Sequence, residues 1–395
     1  WRAAFVESLA RLGQHQPAID FYTSLEKKNN NKVAIFRLGE LYELQGKAKK
    51  ARKQYKQVET TSSKYIAALL GLARCYLKDD EAEKAEKQSK KVLQKNAIHA
   101  EAKLLLLTSL LYQGQQEQAL SVLQITDYAN YNDVYKKAFR LQHGLILDKQ
   151  KKFAEAIQVF QDSNKKEQET IPEYRGLSAT EVKEIKAFDS LIDDDKKDPV
   201  FIIGTQSTAI NNFVSWLHKQ GVAVSNDRLI STGRPDILFA LQEIDALREA
   251  DNDMVRLERK RYHQKAKALM TALEPDTLFA DCMYINPFQI AIIKKFFPNA
   301  HVLLLTRATE DMQLNEQAFG KEPLNAKQWS EAKDQIADMG LNLTLVDIDK
   351  WFDNDKQTLK ELSKIFAKEL QANEETKQKY WQKTFFKKGH WKNYS

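Results

Sequence analysis

The stretch "FIIGTQSTAINNF", residues 201–213, is typical of a buried strand that bends into a helix. A bend of this kind presents the first backbone N–H groups of the helix, and these groups bind phosphate and other anions. Gly204 stands at the bend, and Gln206, Ser207 and Thr208 follow it, but residues 204–212 contain no Lys or Arg. The pattern predicts an anion-binding bend that relies on amides and hydroxyls and has no cation of its own.

Two further groups could meet a phosphate. Arg307 directly follows the apolar run "AHVLLLT", and a guanidinium offers a planar set of donors to phosphate oxygens. Near the end of the chain, "GHWKNY" contains Gly389, Trp391 and Lys392, so an indole could stack on a base while a lysine meets phosphate. The alternatives are that Arg307 pairs with Asp311, one helical turn away, and that Trp391 fills the core.

Strands that alternate with helices position these groups. The predicted strands cover residues 199–204, 277–282, 300–306 and 343–349, with helical patterns between them. This alternation predicts a parallel sheet with helices on both faces, and ligands in that architecture bind at the carboxyl ends of the strands. The places to look are therefore Gly204 onward, Asp281 onward and Arg307 onward.

The N-terminal part of the chain shows a repeat of amphipathic helices instead. Ala51, Ala85 and Ala119 recur at steps of 34 residues, the period of the tetratricopeptide repeat. Small residues such as Gly39 let paired helices approach closely, and larger ones such as Tyr55 fill the space between successive pairs. About five units, the first truncated, predict a solenoid with a concave face; a generic helical bundle is the alternative.

The fold class predicted for the whole chain is therefore a helical solenoid followed by an α/β domain. We place the solenoid at residues 1–165, a linker with one helix at 166–197 and the α/β domain at 198–395. The concave face is expected to bind a protein or peptide, although it could instead pack against the second domain. Because the chain opens with Trp1 inside a helical pattern, we expect it to be a fragment of a longer protein.

Composition excludes several classes of function. The net charge of +7 arises from 61 basic and 54 acidic residues spread along the 395-residue chain, so nucleic acid is not expected as a partner. The longest apolar runs, such as Leu104–Leu107, are far shorter than the roughly 20 residues that cross a bilayer. Only Cys75 and Cys282 occur, which favours a reducing compartment and a cytoplasmic location. No metal site is predicted.

Several motifs recur in an order and spacing that match a known family. Its loop G-x-P-R-S-G-T-T is here "GTQSTAIN", its "DKMPxN" is "DCMYIN", and the following "FPNA" is identical. Its "RRDPxDxxLS" becomes "TRATEDMQLN", and its terminal G-x-W-(K/R)-x-Y is present as "GHWKNY". Over nearly its whole length, the chain resembles the bacterial sulfotransferases that carry tetratricopeptide repeats at their N-terminus.

The resemblance implies a P-loop-like sulfotransferase domain with a central parallel sheet. It implies transfer of a sulfuryl group from 3'-phosphoadenosine 5'-phosphosulfate to a hydroxyl of a peptide or glycan presented by the repeats. The residues that it assigns to the nucleotide are Gly204, Gln206, Ser207, Thr208, Arg307, Asn315, Gly389, Trp391 and Lys392. It assigns the role of catalytic base to Asp227, which could also be a simple turn residue.

The loop after the first strand departs from the family pattern. Gln206 stands where the family has a cation, and Thr208 replaces the second glycine. Each lost donor costs about 2.7–4 kcal/mol at the transition state of a reaction in which the leaving group gathers charge. The alternative hypothesis is therefore an inactive sulfotransferase-like scaffold, in which the repeats and the altered pocket serve protein binding or assembly.

Overall fold

The computed structural model describes residues 15–29, 31–126, 130–164, 176–188, 194, 196–230, 236–241, 243–269, 278–284, 286–320, 325–372 and 386–394. The chain forms two compact units, Trp1–Val159 and Phe160–Ser395. The domain boundaries predicted from the sequence, near 165 and 198, stay a prediction.

The N-terminal unit is a succession of helix pairs. The helices are α1 (His15–Asn29), α2 (Lys32–Leu44), α3 (Ala48–Tyr55), α4 (Tyr65–Lys78), α5 (Ala82–Lys95), α6 (Ala100–Tyr112), α7 (Gln116–Gln124), α8 (Asp133–Lys149) and α9 (Phe153–Asn164), which begins in this unit and continues past its last residue, Val159. Turns of a few residues join the two helices of a pair, which makes them antiparallel neighbours. A helical solenoid was predicted for this part of the chain, and the structure confirms it.

The small residues of the repeat lie where the helices are closest. Ala51, Ala85 and Ala119 are fully buried. A Cβ atom added to Gly39 would lie 2.6 Å from the ring of Tyr55, and one added to Gly71 would lie 2.4 Å from the same ring. The ring of Tyr55 therefore sits between two glycines, one in its own helix pair and one in the next, as the size pattern predicts.

In the part of the second unit that the structure describes, five parallel strands form one sheet in the order β2-β3-β1-β4-β5. The strands are β1 (Val200–Gly204), β2 (Ala223–Ser225), β3 (Phe279–Tyr284), β4 (His301–Thr306) and β5 (Asn342–Asp347). The predicted parallel sheet is confirmed. The sequence pattern missed β2, because three residues are too few to show a period, and it placed β3 two residues too early.

Helices cover both faces of this sheet. They are α10 (Ala179–Lys186), α11 (Ile210–Lys219), α12 (Asp227–Ile230), α13 (Ile237–Ala240), α14 (Ile244–Glu249), α15 (Asn252–Leu269), α16 (Pro287–Phe296), α17 (Thr309–Phe319), α18 (Ala326–Asp338), α19 (Ile348–Phe352) and α20 (Lys356–Ile365). A short 3-10 helix follows at His390–Asn393. The three central strands, β3, β1 and β4, are buried on both faces, which explains why they appear in the sequence as largely continuous apolar runs.

The core of this unit has two layers. Alternate residues of β1, Phe201 and Ile203, point into the layer that contains α16 and α18. Val200 and Ile202 point into the opposite layer with α11. The helix predicted in the linker, α10, is held at its start by a capping box between Ser178 and Glu181, and its apolar side packs into the first layer.

Within the described residues, no helix combines the length and the apolar character that a bilayer crossing requires. Cys75 and Cys282 are both buried and both carry free thiols. Burial raises the pKa of the Cys282 thiol well above its usual range, and the nearby Asp281 and Asp227 carboxylates add to the effect. A thiol held protonated in this way is a poor nucleophile, so Cys282 acts as a small core residue.

Candidate functional site

The carboxyl end of β1 is the place where the sheet can hold a ligand. The helix that follows β1 lies on one face of the sheet, and the helices that follow the neighbouring strands β3 and β4 lie on the other. Connections that leave adjacent strands toward opposite faces open a crevice between them. Ile203 pairs with Leu304, so Gly204 and Arg307 lie at the same edge of the sheet.

The loop after β1 is closed by its own hydrogen bonds. The hydroxyl of Thr208 accepts a hydrogen bond from the Thr205 backbone N–H at 2.8 Å and donates to the Thr205 carbonyl at 3.0 Å. The Thr208 N–H donates to the Thr205 hydroxyl at 3.3 Å. The N–H groups of Ala209 and Ile210 donate to the Gln206 and Thr205 carbonyls. Amides that an anion site would leave open are thus bonded within the loop.

Gly204 is required by this closure. A Cβ atom at Gly204 would lie 2.6 Å from the Thr208 hydroxyl and 3.2 Å from Leu305. The glycine therefore makes room for a threonine side chain, in the place where a phosphate cradle would leave space for its ligand. Ser207 and Thr208 are buried, and Gln206 is exposed. The sequence predicts that all three of these residues bind the nucleotide. Among them, only Gln206 faces solvent.

The side chain of Arg307, just after the end of β4, is buried and is held by protein groups. Its guanidinium forms an ion pair with Asp349 at 3.1 and 3.2 Å and donates a hydrogen bond to the backbone carbonyl of Phe386. Asp349 follows β5, which is the neighbour of β4. Burial raises the pKa of the Asp349 carboxyl, while Arg307 acts in the opposite direction. The alternative considered from the sequence, an ion pair of Arg307 with Asp311, is wrong, because Arg307 pairs with Asp349, on the helix that follows the adjacent strand β5.

Asp311 instead holds the C-terminal segment, residues 386–394. Both of its carboxylate oxygens accept the backbone N–H of Gly389 at 2.9 Å, and Gly389 has a left-handed conformation with φ of 73°. The side-chain oxygen of Asn315 accepts the Phe386 N–H at 2.6 Å. Trp391 is half-buried and Lys392 is exposed. Three polar residues, on α17 or just before it, thus bind the backbone of this segment.

Asp227 follows β2, which β3 separates from β1 in the sheet. It is half-buried at the first position of α12. Its carboxylate accepts a hydrogen bond from the hydroxyl of Ser225 at 2.5 Å. The structure therefore brings Gly204, Arg307 and the C-terminal segment to one region of the sheet edge, while Asp227 follows the outer strand β2.

A buried ion-pair cluster behind the sheet edge was missed from the sequence. Asp281 lies inside β3 and is fully buried, not at the strand end where it was predicted. Its carboxylate accepts the Tyr262 hydroxyl at 2.5 Å and the Arg228 Nε at 3.3 Å. Arg228 also pairs with Asp236 at 2.5 Å. An aspartate inside an otherwise apolar strand was the signal that could have indicated a buried cationic partner.

The N-terminal unit carries a second arrangement of polar groups. The guanidinium of Arg74 on α4 binds Glu43 on α2 at 2.6 and 3.0 Å and also contacts Glu101 on α6. Glu43 accepts the hydroxyl of Tyr55 at 2.8 Å as well. The first helices of three successive pairs are thus joined by one chain of charges. Because these side chains are partly exposed, they can also contact a partner.

Comparison with known proteins identifies a repeat family in the N-terminal unit. The family model described as tetratricopeptide repeat matches residues 33–61, which span α2 and α3. The N-terminal unit contains a tetratricopeptide repeat. Repeats of this kind generally bind protein partners.

Two solved structures are similar to the chain. The crystal structure of MamA is 21% identical, covers 42% of this chain and 95% of its own, and has a TM-score of 0.37. The structure of TTC0263, a thermophilic tetratricopeptide-repeat protein of Thermus thermophilus, is 15% identical, covers 41% and 87%, and has a TM-score of 0.34. No curated protein sequence matches the chain.

Proposed function

We propose that the protein is a protein-binding module whose α/β unit is a sulfotransferase-like scaffold without turnover. The observation that carries this proposal is the loop after β1, in which the Thr208 hydroxyl accepts the hydrogen bond of the Thr205 backbone N–H. The tetratricopeptide repeat supports the binding role. Its partner is a protein or peptide, held by the concave face of the solenoid.

Sulfuryl transfer needs donors already directed at the leaving phosphate, because charge gathers there as the sulfur–oxygen bond breaks. In this loop four backbone N–H groups, those of Thr205, Thr208, Ala209 and Ile210, are bonded within the loop, and residues 204–212 supply no cation. Arg307 is likewise engaged by Asp349 and by the Phe386 carbonyl. In this arrangement the residues do not fit 3'-phosphoadenosine 5'-phosphosulfate.

The chain of charges on the first helices supports a role in partner binding. Arg74 contacts two carboxylates, those of Glu43 and Glu101. A partner that approaches Arg74 can replace one of these contacts with a carboxylate from the partner. Charge reversal of Arg74 to Glu should therefore weaken partner capture by the 395-residue chain at least about tenfold. Lys87→Glu on α5 is the matched control, since Lys87 is exposed and the variant has the same net charge.

A second candidate is a nucleotide site, and it is favoured by one observation. Gly204, Arg307 and Gly389 come together at one sheet edge, as binding of 3'-phosphoadenosine 5'-phosphosulfate would require. Gln206, Ser207, Thr208, Asn315, Trp391 and Lys392 would complete the contacts, with Asp227 as base. This candidate requires both the loop and the C-terminal segment to rearrange.

One measurement separates the two candidates. Thermal unfolding is followed with and without millimolar 3'-phosphoadenosine 5'-phosphate. A ligand present at about 100 times its Kd stabilises by about 2.7 kcal/mol, which raises the Tm of a unit of this size by roughly 5–10 °C. We expect no shift. A shift that disappears in Arg307→Ala would overturn the scaffold proposal in favour of the nucleotide site.

A further inference from the structure

A basic pocket lies on the solenoid, outside the sites described above. Its volume is about 470 Å³, within the range of ligand-binding clefts. It is lined by Lys49, Arg52, Lys53, Lys56, Tyr76, Glu81 and Lys84. The pocket is formed by α3 together with the end of α4 and the start of α5. The pocket is thus built mainly on α3, the second helix of its pair. The chain of charges around Arg74 instead joins the first helices of successive pairs.

The spacing along α3 places four cations on one side of the helix. Lys49, Arg52, Lys53 and Lys56 follow at intervals of three, one and three residues, so neighbours lie within one turn of each other. The opposite side of the helix is buried through Ala48, Ala51 and Tyr55. Like charges held this close repel one another, and a bound anion relieves the repulsion.

The carboxylates nearby neutralise only part of this charge. Arg52 pairs with Asp79 at 2.8 Å and with Glu81, which also pairs with Lys84. Within the described residues, no carboxylate lies within ion-pair distance of Lys49, Lys53 or Lys56. The side of the pocket that α3 forms therefore carries an excess of positive charge. On the opposite side, Glu81 is the single carboxylate of the lining.

Tyr76 organises the cations. Tyr76 is buried, with 7% of the surface of the residue exposed. The Arg52 guanidinium lies 4.9 Å from the ring centre, the Lys84 ammonium 5.8 Å and the Lys56 ammonium 6.0 Å. Contacts of this type attract cations to an aromatic face, so the three groups are partly positioned before a ligand arrives.

The same geometry selects the class of ligand. Proteins that bind single-stranded nucleic acid offer exposed aromatic rings on which bases stack. Here the ring of Tyr76 is covered by Arg52 and two lysines, so a base cannot stack on it. The cations are also confined to one pocket and do not form a long stripe. A short run of carboxylates on an extended peptide fits this arrangement better than a nucleic acid.

We infer that this pocket binds an acidic peptide segment of a protein partner, with several carboxylates facing the cations of α3. The inference rests on the proposed protein-binding function and names the chemistry of the partner. It is tested with a defined peptide, so its failure would leave binding through the Arg74 region untouched. Conversely, if Arg74→Glu does not weaken partner capture, the result with the peptide is unaffected.

The experiment measures fluorescence anisotropy of a fluorescein-labelled oligoglutamate peptide titrated with the full chain. The test variant carries Lys→Gln at Lys49, Lys53 and Lys56. The control variant carries Lys→Gln at Lys27, Lys28 and Lys87, which are exposed and lie outside the pocket. Exposed ion pairs are each worth about 0.2–1 kcal/mol, so the test variant should bind about tenfold more weakly than the control.

Four further arms sharpen the outcome: a Glu81→Gln variant, high salt, an oligoglutamine peptide and a labelled oligothymidylate. Glu81→Gln removes the carboxylate that competes with the peptide for Arg52 and Lys84, so binding should become roughly threefold tighter. At about 1 M salt, where the Debye length is about 3 Å, binding should be lost. Oligoglutamine should not bind. Equal affinity of the test and control variants, weaker binding by Glu81→Gln, or preference for a labelled oligothymidylate would overturn the inference.

Discussion

Replacement of Thr208 by Val tests whether the loop after β1 is held by the hydrogen bonds of this side chain. Thr208 is fully buried, and Val keeps its shape while a methyl group replaces the hydroxyl. The Thr205 N–H, which donates to that hydroxyl at 2.8 Å, then has no partner in a buried place. An unsatisfied buried donor costs about 1–3 kcal/mol of unfolding free energy. The Thr205 carbonyl loses less, because it still accepts from Ile210.

Thr208→Ser is the matched control for this change. Serine keeps the hydroxyl and removes one methyl group, which costs about 1 kcal/mol. The order of the two variants therefore separates two explanations of the loop. If hydrogen bonding holds it, Val is the more damaging change. If packing alone holds it, Ser is the more damaging change, since Val conserves the volume.

Equilibrium unfolding in urea, followed by tryptophan fluorescence, measures both variants. Trp216 and Trp351 are buried in the same core layer as α11, and their rings lie 5.4 Å apart, so their signal reports the second unit. We expect Thr208→Val to lower the unfolding free energy by about 1–3 kcal/mol and by more than Thr208→Ser. A serine variant that is less stable than the valine variant would refute the assignment of Thr208 as the group that closes the loop.

Three further predictions concern the repeat, the core and the C-terminal segment. Gly71→Ala should lower the unfolding free energy by about 1–3 kcal/mol, because its Cβ would lie 2.4 Å from the ring of Tyr55; Tyr55→Leu in the same chain should remove most of this loss. Burial lowers the pKa of His263 to about 4, below its unfolded value of about 6.5, so the unfolded state takes up the proton more readily. Urea titrations should therefore show a stability loss of roughly 1–2 kcal/mol between pH 7 and pH 5 that His263→Gln removes. Asp311→Ala loses both hydrogen bonds from Gly389. Because the C-terminal segment is then held less firmly, trypsin should cut after Lys387 and Lys388 about tenfold faster.

Each of these predictions has an opposite outcome. A more stable Gly71→Ala would mean that helix propensity, worth about 1 kcal/mol, outweighs the contact with Tyr55. An unchanged pH profile in His263→Gln would assign the acid sensitivity to other groups. Asp311→Asn keeps one acceptor oxygen and should lie between wild type and Asp311→Ala; equal trypsin rates for all three proteins would mean that the segment is held elsewhere.

Patterns that extend over neighbouring residues determined much of the fold. The 34-residue step of Ala51, Ala85 and Ala119 arises because each helix pair packs on the next through the same small residues. The repeat was therefore visible without a structure. The buried strands β1 and β4 were visible for a similar reason, since a strand covered on both faces needs an apolar residue at every position.

The tertiary structure alone decided which groups meet at the candidate site. Arg307 pairs with Asp349, 42 residues later, and not with Asp311, because β5 is the neighbour of β4 and ends beside it. The state of the loop after β1 depended on the direction of one side chain, the Thr208 hydroxyl, which the residue types do not define. Local composition determines burial and period, whereas the partner of a buried charge depends on strand order and on distances of a few ångströms.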